Sequence, residues 1–296
     1  MRRLIDDILD FLKAGGFECT VQMRSGLDVI CTQTLCQGHS KVVIPLEITA
    51  QSPEDAKAQA EIAAMVIEEL SCSGYGSPII ITEDRWHSQQ DMMKARVLAH
   101  LEVFDQVYAR NCEIRRIDKA TAAEFLAAHH SYGDSSNRYR YGLFLKRHTG
   151  HIASEGAETW KYPVGTLVAV ATFSNARKWV KGEQTIRSYE WIRYASLPGL
   201  RISGGMGKLL KAFIKEVKPD DIMSYADLEW SGGIVYDQLG FTLEGQKSPV
   251  LFGIDSEWNR FPIKPGITDQ DVIAGLTGNL FYMNFGSNKY RLKLYI

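Results

Sequence analysis

The chain has no apolar run of the about 18 residues that a membrane-spanning helix needs. Of its 296 residues 45% are hydrophobic and 23% charged, the mixture of an ordinary globular protein. No secretory leader is expected in the first residues. In MRRLIDDILDFLKAGGF the acids Asp6, Asp7 and Asp10 break the apolar stretch and no small-residue cleavage site follows, so an amphipathic helix of a cytoplasmic protein is expected there. Cysteine is scarce: Cys19, Cys31, Cys36, Cys72 and Cys112 are an odd, scattered set. Cys31 and Cys36 lack the spacing of a zinc pair and no second pair answers them, so reduced thiols and no metal are expected. A large charge of one sign is absent too, the net charge being −1. That argues against a strongly basic nucleic-acid-binding domain. The small total hides an asymmetry. Residues 1–110 hold 10 Lys and Arg against 16 Asp and Glu, and the rest of the chain 24 against 19. An acidic front and a mildly basic back point to separate units.

Residues 1–110 read as a small α/β domain. Leu4, Ile5, Ile8, Leu9, Phe11 and Leu12 recur at helical spacing, and Gly15 and Gly16 stop them. LDVICT (Leu27–Thr32) and KVVIPLEIT (Lys41–Thr49) are strand-like, with a turn over Gln37–Ser40. Ser52, Pro53 and Glu54 supply an N-cap, a first-position proline and a first-turn acid for the next helix. Ser77–Asp84 reads as a short buried strand and Gln90–Ala109 as a last helix. This order resembles restriction-endonuclease-like folds, with Asp28 and Glu47 matching the family's two acids. In that family an acid-x-Lys completes a divalent-metal site for phosphodiester cleavage. Here Thr49 takes the lysine's place, so the expectation is an inactive version of the fold, or an unrelated α/β domain.

Residues 111–256 carry a second pattern. Cys112–Asp118 is a short strand, followed by a helix through Thr121, Phe125 and Leu126 to His129 and His130. Arg140–Leu145, Gly165–Ser174 and Tyr189–Ser196 are strand-like, the second of them dense in β-branched residues. Then comes RISGGMGKLLKAFIKEV, with Gly204, Gly205 and Gly207 ahead of the apolar-periodic Leu209, Leu210, Phe213, Ile214 and Val217. Glycines at a helix start let successive backbone N–H groups face an anion, to which the helix dipole adds. Asp221–Ala226 is a strand, Gly233–Leu239 a helix, and Phe241–Gly245 and Val250–Ile254 are strands.

That order, together with YDQLGF (Tyr236 to Phe241), resembles the GNAT acyltransferase superfamily over about half the chain. SYAD with the later Y-x-x-LGF is most similar to the branch of phage-related and Mom-type DNA-modification proteins. The resemblance implies a mixed-sheet GNAT-like acyltransferase domain, preceded by the small α/β domain. It also implies acetyl-CoA, or another acyl-CoA, as cofactor. Its pyrophosphate is expected on Arg201, Ser203, Gly204, Gly205, Met206, Gly207 and Lys208. The family's Arg/Gln-x-x-Gly-x-Gly/Ala motif fits in no single frame. Arg201 and Gly204 agree, but Met206 stands where the last small residue belongs; the frame shifted by one has the glycines and puts Ile202 in place of the arginine.

Acyl transfer from a thioester needs an aimed nucleophile, a place for the oxyanion and a proton for the departing thiolate. Orientation alone is worth effective molarities of about 10⁵ M or more. By resemblance Tyr236 is the acid, since a phenol of pKa about 10 can share a proton with a thiol of about 8.5. Glu190 is the candidate base, with Asp227 as its rival. Strand alternation puts Glu190, Ile192 and Tyr194 on one face and Tyr189, Trp191 and Arg193 on the other. Lys208 at the helix start opposes the dipole unless an anion is present. In HHSYGDSSNRYRYG the candidates for substrate binding are His130, Tyr132, Arg138 and Arg140. The alternating Arg138-Tyr139-Arg140-Tyr141 reads either as cations and aromatics for nucleic acid or as one strand with a polar and an apolar face. The expected partner is a small-molecule or macromolecular amine, ahead of nucleic acid, with no membrane. Mom-type modification and a non-catalytic binding module are the alternatives.

Residues 257–296 are expected as a C-terminal extension outside the superfamily core. Thr268–Leu276 reads as a short helix, and FYMNFGSNKYRLKLYI as two strands around Gly286, Ser287 and Asn288, a hairpin signal. Its apolar, aromatic end is expected to pack on a sheet or on a partner subunit.

Overall fold

The computed structural model describes residues 3–34, 38–73, 75–147, 162–264 and 280–294. The chain forms two compact units, each assembled from separated stretches. The first comprises Met1–Val103, Ala226–Ile234 and Gly245–Asn288; the second comprises Phe104–Tyr225, Val235–Glu244 and Lys289–Ile296. The three consecutive segments expected from the sequence differ from this partition because late segments return to both units.

The first unit begins with helix α1 (Leu4–Ala14) and strands β1 (Cys19–Arg24), β2 (Leu27–Gln33) and β3 (Ser40–Leu46). Helix α2 (Pro53–Cys72), strand β4 (Ile79–Thr82), and helices α3 (Glu83–Ser88) and α4 (Gln90–His100) follow. Ser52 caps α2 by accepting from the Asp55 amide, and Pro53 occupies the first turn. The strands lie in the order β1-β2-β3-β4, antiparallel except for the parallel β3–β4 pair. Alternation sorts the sheet's side chains into two layers. Ile30, Val43, Ile79 and Ile81 pack with Leu4, Ile8 and Leu12 of α1 and with Met93 and Val97 of α4. Val29, Val42, Ile44 and Ile80 pack with Ala63, Val66 and Leu70 of α2.

The second unit opens with β5 (Asp105–Tyr108), β6 (Cys112–Arg116), α5 (Lys119–His129), β7 (Tyr139–Leu145) and β8 (Leu167–Phe173). It continues with β9 (Arg177–Lys181), β10 (Gln184–Ser196), β11 (Leu200–Ser203), α6 (Gly205–Val217) and β12 (Asp221–Asp227). Helix α7 (Ile234–Gln238) and β13 (Thr242–Lys247) come next. Strands β14 (Leu251–Ile254), β15 (Arg260–Pro262) and β16 (Leu280–Met283) follow in the chain but belong to the first unit, and β17 (Ser287–Lys293) comes after them. The sheet runs β13-β17-β12-β10-β8-β7-β6, with β9 also paired to β10. Its β6–β7–β8–β10 ladders are antiparallel and β10–β12 is parallel, so the sheet is mixed. Helix α6 lays Phe213 on this sheet, stacked at 3.9 Å on Phe173 and edge-on to Tyr139, Tyr141 and Tyr189.

The chain's end departs from the expected hairpin. β16 pairs with β14 in a three-stranded sheet with β15, whereas β17 lies between β12 and β13. Gly286 (φ 76°) lies between β16 and β17, where a Cβ would meet the Lys247 carbonyl oxygen at 2.2 Å. The apolar tail is therefore used within its own chain. The stretch expected as a short helix lies outside the described residues, as does Cys36.

Charge fixes β17 in register. Arg291 Nη1 donates to the buried Asp221 carboxylate at 2.7 Å and Nε to Glu244 at 2.7 Å, and Ser188 Oγ donates to the same Asp221 oxygen at 2.5 Å. Burial alone would raise the pKa of Glu244; bonds from Arg291 and Lys289 outweigh it and hold the pKa low. Arg291→Met leaves Asp221 buried with only Ser188 as donor. An unfolding free energy lower by about 2 kcal/mol in urea titration is expected, the value of a bond to a charged group.

Candidate active site

The glycine stretch of the second unit is a strand–turn–helix junction. β11 pairs in parallel with β5, burying Leu200 and Ile202 and leaving Arg201 exposed over the Phe104 ring at 5.2 Å. Gly204 adopts φ 77°, ψ 6°, a left-handed conformation that a side chain would strain. Helix α6 then starts at Gly205, and the Lys208 amide bonds the Gly204 carbonyl at 3.0 Å. The amides of Gly205, Met206 and Gly207 precede that first intrahelical bond, at the positive end of the dipole. A helix start of this kind is the general setting in which backbone N–H groups meet an anion. Two residues expected in this cradle are occupied otherwise. Lys208 Nζ donates to the carbonyls of Ala109 (2.8 Å) and Cys112, so its charge is held by the peptide oxygens there. Ser203 Oγ accepts from Gln106 Nε2 at 2.7 Å.

Beside this junction two strands part. The parallel β10–β12 ladder covers Ser188–Glu190 against Asp221–Met223. Next to its end β10 carries a bulge, between Trp191 and Arg193 in its register with β8. A bulge inserts one residue, Ile192 here, and shifts the side-chain phase. Tyr194 thereby joins Trp191 on the α6 side, with rings 6.3 Å apart, and its hydroxyl lies 3.2 Å from where a Cβ on Gly205 would stand. Arg193 joins the face of Glu190. The face assignment from plain alternation is corrected accordingly. Burial lowers the pKa of Arg193, and the charge of Glu190 opposes this.

Tyr236 sits where the strands part. YDQLGF forms α7 and its stop: the Phe241 amide returns to the Tyr236 carbonyl at 3.0 Å, and Gly240 takes φ 85°. The Tyr236 ring stacks on Tyr290 at 5.2 Å and meets Phe241 and Trp191 edge-on. Its hydroxyl is 2.8 Å from Ser224 Oγ, which is 3.0 Å from the Trp191 carbonyl. Burial raises the Tyr236 pKa, and the bond with Ser224 partly counters that rise. The α7 end also reaches the cradle, since a Cβ on Gly207 would lie 3.2 Å from Leu239 Cδ2. Anion cradle, parted strands and phenol therefore form one neighbourhood.

The other candidates have separate settings. Asp227, at the end of β12, accepts from the Glu229 amide at 3.0 Å as part of a turn in the first unit. His130 ends α5, its Nδ1 accepting from the Tyr132 amide at 3.1 Å. Tyr132 and Arg138 are exposed, and Arg193 reaches the Tyr132 ring at 6.0 Å and the Gly133 carbonyl at 3.1 Å. Arg140 donates to the Asn137 carbonyl at 3.0 Å. Tyr139 and Tyr141, in β7, face Phe213 and form an apolar face toward α6, and Arg138 precedes the strand. Ser224 and the bulge escaped the sequence reading. Asp221, Ile222, Ser224 and Ala226 are the buried positions of β12, so a hydroxyl between the alternating apolar Ile222 and Ala226 was the available signal for Ser224.

In the first unit Asp28 and Glu47 do come together, but around a guanidinium. Arg3 Nη2 donates to Asp28 at 2.5 Å and Nε to Glu47 at 3.4 Å, while Gln59 Nε2 donates to Thr49 Oγ1 at 2.6 Å. They border a cavity of about 360 Å³. Among the described residues no three His, Cys, Asp or Glu side chains gather as metal ligands. With an arginine bridging the acids and threonine in the lysine's place, the residues do not fit the nuclease metal site.

The sequence matches no protein-family model and no curated protein. Among solved structures it is similar to a GNAT-family acetyltransferase from Bacillus anthracis, at 14% identity and a TM-score of 0.31, over 62% of this chain and 95% of that one. It is similar to the KacTA–DNA complex at 18% identity and a TM-score of 0.28, over 56% and 97%. It is also similar to a mutant AtaT toxin bound to the C-terminus of the antitoxin AtaR and acetyl-CoA, at 13% identity and a TM-score of 0.28, over 56% and 98%.

Proposed function

We propose that the second unit transfers an acyl group from acyl-coenzyme A, acetyl-CoA being the first to test, to an amine. The observation that carries this reading is that the turn of α7, which bears Tyr236, meets the α6 cradle through Leu239 and Gly207 beside the end of the β10–β12 ladder. Gly205, Met206 and Gly207 hold the cofactor's pyrophosphate on their amides, with exposed Arg201 nearby in the chain. The nitrogen attacks the thioester carbon, the C–S bond breaks with its electron pair on sulfur, and Tyr236 protonates the thiolate. Glu190, on the face shared with Arg193, takes the proton of the attacking amine. An alkyl ammonium of pKa about 10.4 must shed a proton before attack, whereas a nucleobase amine is already neutral.

Calorimetry with acetyl-CoA and thiol release in the presence of amines test this reading. A Cβ on Gly205 would meet Ile202 Cγ2 at 2.9 Å and the Tyr194 hydroxyl at 3.2 Å, so Gly205→Val pushes the start of α6 off its packing and distorts the cradle. Acetyl-CoA affinity is expected to fall about tenfold or more, or about 1.4 kcal/mol. Unchanged affinity in a folded variant rejects the cradle.

A polyanionic acceptor is the second reading. It is favoured by exposed Arg138, Arg177 and Lys178 at one end of the sheet, with Trp179 exposed beside them. DNA retention that weakens steeply with salt supports it, because phosphate contacts release counterions.

A further inference from the structure

Ser224 is fully buried, and its one hydroxyl hydrogen faces two oxygens, the Trp191 carbonyl at 3.0 Å and the Tyr236 hydroxyl at 2.8 Å. A hydroxyl donates once and accepts through its lone pairs, so the two contacts cannot both be donations from Ser224. In one arrangement Ser224 donates to the Trp191 carbonyl and Tyr236 donates its proton to Ser224. In the other, Ser224 turns to donate to the Tyr236 oxygen, and the phenolic proton is released toward whatever lies in the opening between β10 and β12. Both arrangements leave every heavy atom in place. The strands make the switch possible: their ladder ends at Glu190 and Met223, so the next pair, Trp191 and Ser224, meets through a side chain that can rotate.

We infer that Ser224 is a positioning residue for Tyr236, a hydroxyl rotor that holds the phenolic proton at rest and stabilises the phenolate when that proton leaves. This rests on the acyl-transfer reading above. As the C–S bond breaks, the Tyr236 proton passes to sulfur and gives the free thiol; Ser224 turns from the Trp191 carbonyl to donate to the phenolate. The proton that Glu190 takes from the attacking nitrogen passes through solvent to Tyr236 and restores the phenol and the carboxylate, so protons and charge balance over one turnover.

Ser224→Ala, Ser224→Thr, Tyr236→Phe and the Ser224→Ala/Tyr236→Phe double variant test the relay. Three readouts apply: kcat with acetyl-CoA and an amine across pH, acetyl-CoA affinity by calorimetry, and ultraviolet titration of tyrosinate. Ser224→Ala is expected to keep acetyl-CoA affinity within about twofold and to lower kcat about tenfold, as for loss of a bond to a charged group. It also moves the Tyr236 ionisation, found by difference from Tyr236→Phe, to higher pH. Ser224→Thr, which keeps the hydroxyl, restores most of both, and in the Tyr236→Phe background Ser224→Ala adds nothing. An equal further loss in that background, or an unmoved tyrosinate titration in folded Ser224→Ala, overturns the inference. The titration needs no turnover. A wild-type protein that neither binds nor consumes acyl-CoA while the titration shifts overturns the transferase reading and upholds the Ser224–Tyr236 coupling.

Discussion

Arg260→Ala is expected to lower the unfolding free energy by about 3–5 kcal/mol, the cost of stranding buried charge. Arg260 closes a cluster inside the first unit. Its Nη1 and Nη2 reach Glu229 at 2.8 and 3.1 Å, Nη2 reaches Asp84 at 3.0 Å and Thr82 Oγ1 at 2.7 Å, and Nε bonds Asp84 as well. Glu229 also takes Arg85 at 2.9 Å and the Tyr282 hydroxyl at 3.2 Å, and Arg96 donates to its carbonyl at 2.8 Å. Asp84 and Glu229 are 1% and 2% exposed. By contrast, Arg3 of the Arg3–Asp28 pair is 59% exposed, and such a pair contributes about 0–1 kcal/mol. Arg260→Lys does not rescue, because one ammonium cannot make the fork that spans two carboxylates. In thermal melts the loss is on the order of 10 °C. A drop below about 1 kcal/mol would show that water reaches the cluster.

The same cluster sets an acid limit. Burial alone would raise the pKa of Glu229, but Arg260 and Arg85 outweigh it and bring the pKa to about 2, against 4.5 for an ordinary glutamate. A depressed folded pKa means that the unfolded chain binds the proton first. The stabilisation is present above about pH 4.5 and drains away as pH falls toward about 2. Arg260→Ala should flatten that slope.

The elements were legible where local chemistry and burial agree. The N-cap at Ser52, the apolar faces of α1 and α6, and the β-branched run of β8 follow from spacing alone. The glycine junction was equally legible, although only backbone geometry shows that the helix starts at Gly205 and that Lys208 turns to peptide carbonyls. Other features depend on partners distant in sequence. β17 reads as half of a hairpin because its neighbours β12 and β13 are invisible from its own residues, and Arg291 becomes informative only once Asp221 is buried beside it. The bulge in β10 is similar, for YEWIRYAS alternates without fault and the inserted Ile192 is defined only against β8. The cluster around Arg260 joins α3, the stretch after β12, β15 and β16, and no spacing rule connects residues so far apart.

Tyr236→Phe is expected to lower kcat about 100-fold and leave acetyl-CoA affinity within about twofold. General acids contribute roughly 10²–10⁴, and the lower end applies because a thiolate, with its thiol pKa near 8.5, leaves readily without full protonation. The substitution is clean by its surroundings. The ring contacts with Tyr290, Phe241 and Trp191 survive, and Ser224 keeps the Trp191 carbonyl as acceptor, so no buried donor is stranded. Burial raises the phenol's pKa, so the acid form persists above pH 10 and the wild-type kcat should hold through mildly alkaline pH. Leaving-group dependence gives the sharper check. Acyl donors with more acidic thiols need less protonation, and for them the gap between wild type and Tyr236→Phe should shrink. A kcat unchanged with acetyl-CoA would remove Tyr236 as the acid, and a gap of constant size across donors would assign its effect to positioning of the thioester.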